Sequence, residues 1–84
     1  MPSRLDIYIE GGCKNCLTSV TIAEQVKEQM PAVQVNVIDL VQEPNRRREQ
    51  IFAVPTFILN GEILSLGNPR LEDLLAALRN KTKS

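Results

Sequence analysis

The sequence predicts a small α/β domain of element order β-α-β-α-β-β-α. Three observations carry this. An alternating stretch at residues 4–9 leads into a helical period from Leu17 to Met30 and then into a β-branched run at residues 33–38, which makes a βαβ unit with parallel strands. An Asn60-Gly61 pair separates two apolar runs, the strongest short hairpin signal a sequence carries. A leucine stripe then closes the chain.

In the first strand Leu5, Ile7 and Ile9 fall on one face and Arg4, Asp6 and Tyr8 on the other. In the helix that follows, Leu17, Val20, Ala23, Val26 and Met30 recur at helical spacing, and Pro31 ends it. Val33, Val35 and Val37 alternate with Gln34, Asn36 and Ile38 as a second strand, rich in the residue types that suit a pleated surface. Pro44 suits the first turn of a short helix over Pro44 to Phe52. Arg46, Arg47 and Arg48 lie on that helix near Glu43 and Glu49, which reads as a solvated face rather than an anion patch. Phe57 to Leu59 form a third strand covered on both sides. Ile63, Leu64 and Leu66 form its hairpin partner. Asn68 as N-cap and Pro69 at the first helical position open a last helix. Its stripe is Leu71, Leu74, Leu75 and Leu78, and residues 79–84 form a polar tail expected to fray.

Eighty-four residues suffice for one domain with one core, spanning 1–84. Lys plus Arg equals Asp plus Glu at ten each, and a dedicated nucleic-acid binder is ordinarily basic. No apolar run reaches the roughly 18 residues of a membrane span. The N-terminus enters a strand without a signal peptide, so a cytoplasmic monomer is expected, with no nucleic-acid or membrane partner. In that compartment a close cysteine pair reads as redox-active or metal-binding rather than as a structural staple.

Both cysteines of the chain lie in Gly11-Gly12-Cys13-Lys14-Asn15-Cys16, where the first strand turns into the first helix. Gly11 and Gly12 let the backbone make that turn. A helix starting near Cys13 aims its first-turn N–H groups and its dipole at the sulfur. That arrangement favours a thiolate and lowers the Cys13 pKa below the roughly 8.5 of a free thiol. Lys14 adds a nearby cation, and Glu10 works against it. Cys16, one turn on and on the same face, is expected to be more covered. An exposed low-pKa thiol backed by a buried one is the layout of thiol–disulfide exchange, which needs neither metal nor organic cofactor. A structural zinc site wants four ligands; the chain offers two thiolates and no histidine. A soft two-coordinate ion such as Cu(I) suits the pair better, so a dithiol metal carrier stays open as an alternative.

With Cys13-x-x-Cys16 at the first strand–helix junction, Val54-Pro55-Thr56 opening the third strand and Asn60-Gly61 in the hairpin, the chain resembles the thioredoxin/glutaredoxin superfamily over nearly its whole length. The resemblance implies a thioredoxin-like fold, with a four-stranded mixed sheet of order 2-1-3-4 and helices on both faces. It implies a cis Val54–Pro55 bond opposite Cys13. It also implies Cys13 and Cys16 as catalytic residues, with Gly12, Lys14, Asn15, Val54, Pro55 and Gly67 contacting a protein disulfide substrate. A separate reductant then reopens the oxidised pair. A superfamily module that binds a partner without chemistry is the other class this implies.

The chain departs from both branches. Where glutaredoxins carry a basic residue before the pair it has Glu10. It has Ala53 in place of their Thr, and Leu66-Gly67-Asn68-Pro69 in place of their Gly-Gly-acidic stretch. These departures predict an oxidoreductase independent of glutathione. Where thioredoxins carry Trp before the pair and Gly-Pro within it, this chain has Gly12 and Lys14-Asn15. Asp6 is the nearest candidate for the buried acid of thioredoxins, but it is offset by one position, and each step along a strand changes face.

Overall fold

The computed structural model describes residues 3–11, 14–47, 51 and 53–82. Four strands form one mixed sheet of order β2-β1-β3-β4. They are β1 (Arg4–Ile9), β2 (Gln34–Asp39), β3 (Thr56–Leu59) and β4 (Glu62–Leu66), with helices α1 (Cys16–Gln29) and α2 (Leu71–Thr82). β1 is central. It pairs parallel with β2, in the register Leu5 to Val35 and Ile7 to Val37. It pairs antiparallel with β3, Ile7 facing Phe57.

The alternation in β1 sorts its side chains onto two buried faces. Leu5, Ile7 and Ile9 join Phe57 and Leu59 of β3 in the main core, covered by Ile22, Ala23 and Val26 of α1 and by Leu74, Leu75 and Leu78 of α2. The opposite face carries Tyr8, Ile38 and Ile58, packed with Leu40 and Ile51 from the β2–β3 connection. All four residues of β3 are buried, as expected of a strand covered on both sides. Both α-helices therefore supply the main core, and the second face is covered by the connection.

That connection corrects the expected helix over Pro44 to Phe52. It contains a 3-10 turn, Pro44–Arg46, and Arg47 is already extended at φ −65, ψ 130. The short turn buries nothing, so no apolar stripe holds a longer helix together. Residues 48–50 and Phe52 of that expected helix lie outside the described residues.

The β3–β4 hairpin turns at Asn60 (φ 51) and Gly61 (φ 88), the paired positive φ angles that an Asn-Gly turn supplies. Its register slips between Phe57 and Ile58, a bulge that places Leu64 outside the one-to-one pairing. Gly67 follows with φ 101, a value L side chains avoid.

Three further expectations change. Leu17 is 76% exposed, and α1 instead buries Cys16, Ser19, Ile22, Ala23 and Val26. Ser19 occupies a core position that a hydrophobic period passes over. α2 begins at Leu71 rather than at Pro69, because the Asn68 side chain bonds to the start of α1 instead of capping its own helix. α2 also runs through Thr82, past the tail expected from residue 79, since a helix extends beyond its apolar contacts once nucleated.

Candidate active site

The site is assembled where β1 ends and α1 begins. Strand pairing carries on past β1 through the Leu40 N–H, which donates to the Ile9 carbonyl at 2.8 Å. The chain then turns through Gly11, whose N–H donates to Asp39 Oδ1 at 3.2 Å. The same carboxylate oxygen accepts the Val41 N–H at 2.9 Å. Asp39 thus ties the loop after β1 to the end of β2. A Cβ on Gly11 would lie 3.4 Å from Asp39 Oδ2, an ordinary contact, and Gly11 is not among the glycines with positive φ. Neither space nor backbone conformation therefore requires glycine at this position, contrary to the sequence expectation.

Lys14 and Asn15 are exposed and lead into α1. Cys16 opens the helix and is 4% exposed, packed into the main core. It is disulfide-bonded. Gly12 and Cys13 lie outside the described residues. The helix starts at Cys16 rather than near Cys13, so its first-turn donors project from the Cys16 end.

A groove of about 600 Å³ runs beside Cys16 between the end of β1 and the outer side of α1. Its apolar lining comes from Ile9, Leu17 and Val20, and its polar rim from Glu10, Lys14 and Asp39. The sequence sets Glu10 against the cation of Lys14. In the structure Arg47 forms an ion pair with Glu10 and donates from Nη1 to the Ile51 carbonyl at 3.1 Å. Arg46 pairs with Glu43 at 3.7 Å. The arginine run is therefore divided: Arg46 is a solvated surface charge, and Arg47 reaches the end of β1 at Glu10. Arg48 lies outside the described residues.

The second half of the site is the turn before β3. The Val54–Pro55 bond is cis. Pro55 is buried, and Val54 is half-buried between the two cores. The Thr56 hydroxyl donates to the Ala53 carbonyl at 2.5 Å, closing this turn. The Pro55 carbonyl accepts the Gly67 N–H at 2.7 Å. Next to Gly67, Asn68 donates from Nδ2 to the Asn15 carbonyl at 2.8 Å, and the buried Ser19 hydroxyl donates to Asn68 Oδ1. Pro55, Gly67 and Asn15, far apart in the chain, are thereby linked through Asn68. Lys14 faces the groove instead.

Asp6 is on the face of Tyr8, opposite the face that contains Cys16. Its carboxylate pairs with Arg4 Nε at 3.1 Å and accepts from Asn36 Nδ2 at 3.0 Å. It is thus a satisfied acid on the face away from Cys16. Among the described residues no three of His, Cys, Asp and Glu come together as a metal set.

A family model described as a thioredoxin domain matches residues 3–79. The chain belongs to that family. It is 30% identical over 80 residues to a thioredoxin of Methanocaldococcus jannaschii, covering 93% of this chain and 94% of the relative. Solved structures that share the fold include two thioredoxins. One is thioredoxin-2, a component of the malaria parasite's protein secretion machinery, with TM-score 0.80, 19% identity, and 94% of this chain against 82% of that one. The other is oxidised mitochondrial thioredoxin 3 of Saccharomyces cerevisiae, with TM-score 0.75, 18% identity, and 94% against 78%. Family membership supports thiol–disulfide oxidoreductase chemistry as the general class. Among the described residues no helix is long and apolar enough to cross a membrane.

Proposed function

We propose that this protein reduces protein disulfides through the dithiol Cys13 and Cys16. The observation that carries the reading is Cys16 itself: buried, disulfide-bonded, and at the first position of a helix beside an open groove. Cys13 is the chain's other cysteine.

The Cys13 thiolate attacks one sulfur of a substrate disulfide. That S–S bond breaks, and the second substrate sulfur leaves as a thiolate and takes a proton from solvent. Cys16 then gives up its proton and attacks the Cys13 sulfur of the mixed disulfide. The remaining substrate sulfur departs as a thiol, and the protein is left with a Cys13–Cys16 bond. Two electrons have moved from protein to substrate, and a second dithiol returns them. In this reading Gly12, Lys14, Asn15, Val54, Pro55 and Gly67 contact the substrate chain. The turn at Val54 and Pro55 is the segment we propose to meet the backbone of an extended peptide.

Independence from glutathione belongs to the same proposal. The charge argument is weaker than the sequence alone suggests, because Arg47 offsets Glu10. The remaining support is the 67–70 stretch, where Asn68 is bonded to α1 and Arg70 pairs with Glu72. We place the protein in the cytoplasm, as a monomer served by a separate reductant.

The test uses Cys16→Ser, which keeps the first attack and removes the second. Passed through a cell extract, this variant is expected to hold protein mixed disulfides on Cys13. If glutathione is the dominant adduct, and wild type rapidly turns over a glutathionylated peptide, the protein acts as a glutaredoxin and the proposal fails.

A further inference from the structure

We propose that Asn68 is a positioning residue for the reactive dithiol, raising its acidity through the Asn15–Cys16 peptide group. The proposal rests on the dithiol reading above and deepens it.

The hydrogen bonds around Asn15 have one consistent assignment. A carbonyl oxygen only accepts, so the NH2 of Asn68 faces it, and Oδ1 of Asn68 faces the Ser19 hydroxyl. The Ser19 hydroxyl lies 3.3 Å from the Asn15 carbonyl and much nearer to Asn68 Oδ1. It has one proton and directs it to Asn68. The Asn15 carbonyl then has two donors for its two lone pairs. The helical one, from the Ser19 N–H, is long at 3.3 Å. The one from Asn68 is short at 2.8 Å. Asn68 is thus the stronger partner of a carbonyl lying between the two cysteines.

A donor on a peptide C=O polarises the whole group and strengthens the N–H at its other end as a donor. Here that N–H belongs to Cys16, the first residue of α1, and first-turn N–H groups project from the helix end. A thiolate that the proposed mechanism brings to that end would be held by this donor more strongly because Asn68 pulls on the other side. The same loop reaches Pro55 through the Gly67 N–H at 2.7 Å, so Asn68 also sets the spacing between the dithiol and the turn that receives substrate. The Asn15 carbonyl, which only accepts, fixes the orientation of the Asn68 amide, and the buried Ser19 hydroxyl gives Oδ1 its donor.

A plain structural clip is the competing account, and the two separate in a pH profile. The rate of thiol alkylation is measured against pH on the reduced, folded protein for wild type, Asn68→Ala and Ser19→Ala, with urea unfolding of each. Asn68→Ala is expected to move the apparent pKa of the faster thiol up by about half a unit, leaving about twofold less thiolate at the wild-type pKa and about threefold less well below it. Ser19→Ala keeps the Nδ2 donor, so its profile stays close to wild type while its stability falls. A folded Asn68→Ala protein with the wild-type profile overturns the proposal, as does an equal shift in both variants. If Asn68→Ala does not fold, Asn68→Asp keeps the shape and the acceptor for Ser19 but removes the donor. It is expected to shift at least as far upward, and a wild-type curve from it overturns the proposal. A wild-type thiol titrating like a free one overturns the dithiol reading itself and this proposal with it, an outcome recognisable before any variant is made.

Discussion

Asp39 shows how one side chain at the edge of the sheet governs a loop. Its Oδ1 takes N–H groups from Gly11, on the way into the cysteine motif, and from Val41. Asp39→Ala leaves both donors to water, since Gly11 and Val41 are exposed. The expected loss is about 1 kcal/mol in urea unfolding. Disulfide turnover should fall by a larger factor than that loss alone explains, because the loop then enters α1 less well ordered. Unchanged turnover would show that Gly11 needs no anchor. The polar partnerships of Asp39, Asn68 and Ser19 around the site were not legible from the sequence. Asp39, Asn68, Ser19 and Arg47 each meet a partner far away in the chain, and no local period encodes such a meeting. Asn68 illustrates the difficulty, since Asn before Pro is a good helix-start signal, and tertiary bonding to Asn15 and Ser19 overrode it.

At the scale of elements, the strands were read more accurately than the helix phases. β1 over residues 4–9 and the Asn60-Gly61 turn follow from alternation and from turn chemistry, which act over a few residues. In α1 the expected stripe held at Ala23 and Val26, which are buried, and at Val20 and Met30, which pack against the core, and it failed at Leu17. Ser19 at a fully buried position and Leu17 at an exposed one mislead any reading based on hydrophobicity. The buried phase makes a contrast that urea unfolding can measure. Ile22→Ala is expected to cost about 2–4 kcal/mol by opening a cavity under the sheet. Leu17→Ala should stay within about 0.5 kcal/mol, as exposed positions do. A larger loss at Leu17 than at Ile22 would mean that α1 is turned the other way. The connection before β3 failed as a helix for a related reason. Its Pro44 start was sound, but Arg47 is drawn out to Glu10 and the Ile51 carbonyl, and nothing apolar on the 3-10 turn is buried.

Across the whole molecule, the sheet separates the two cores. The α1–β3–α2 side contains Cys16, and the other side contains Asp6 with Tyr8. That division follows from the two-residue period of β1 and explains why Asp6, one step out of phase, is removed from the sulfur chemistry. The groove opens beside Cys16, and the Pro55, Gly67 and Asn68 segment closes on the start of α1. The central claim is that the two thiols have unequal roles, with Cys13 the attacking group and Cys16 the buried resolving one. Timed alkylation of the reduced protein at neutral pH, with the modified residue located by mass spectrometry, tests it most directly. The account predicts that Cys13 is labelled many times faster than Cys16, because Cys16 is 4% exposed and the thiolate is the reacting form. Equal rates, or Cys16 labelled first, would contradict it.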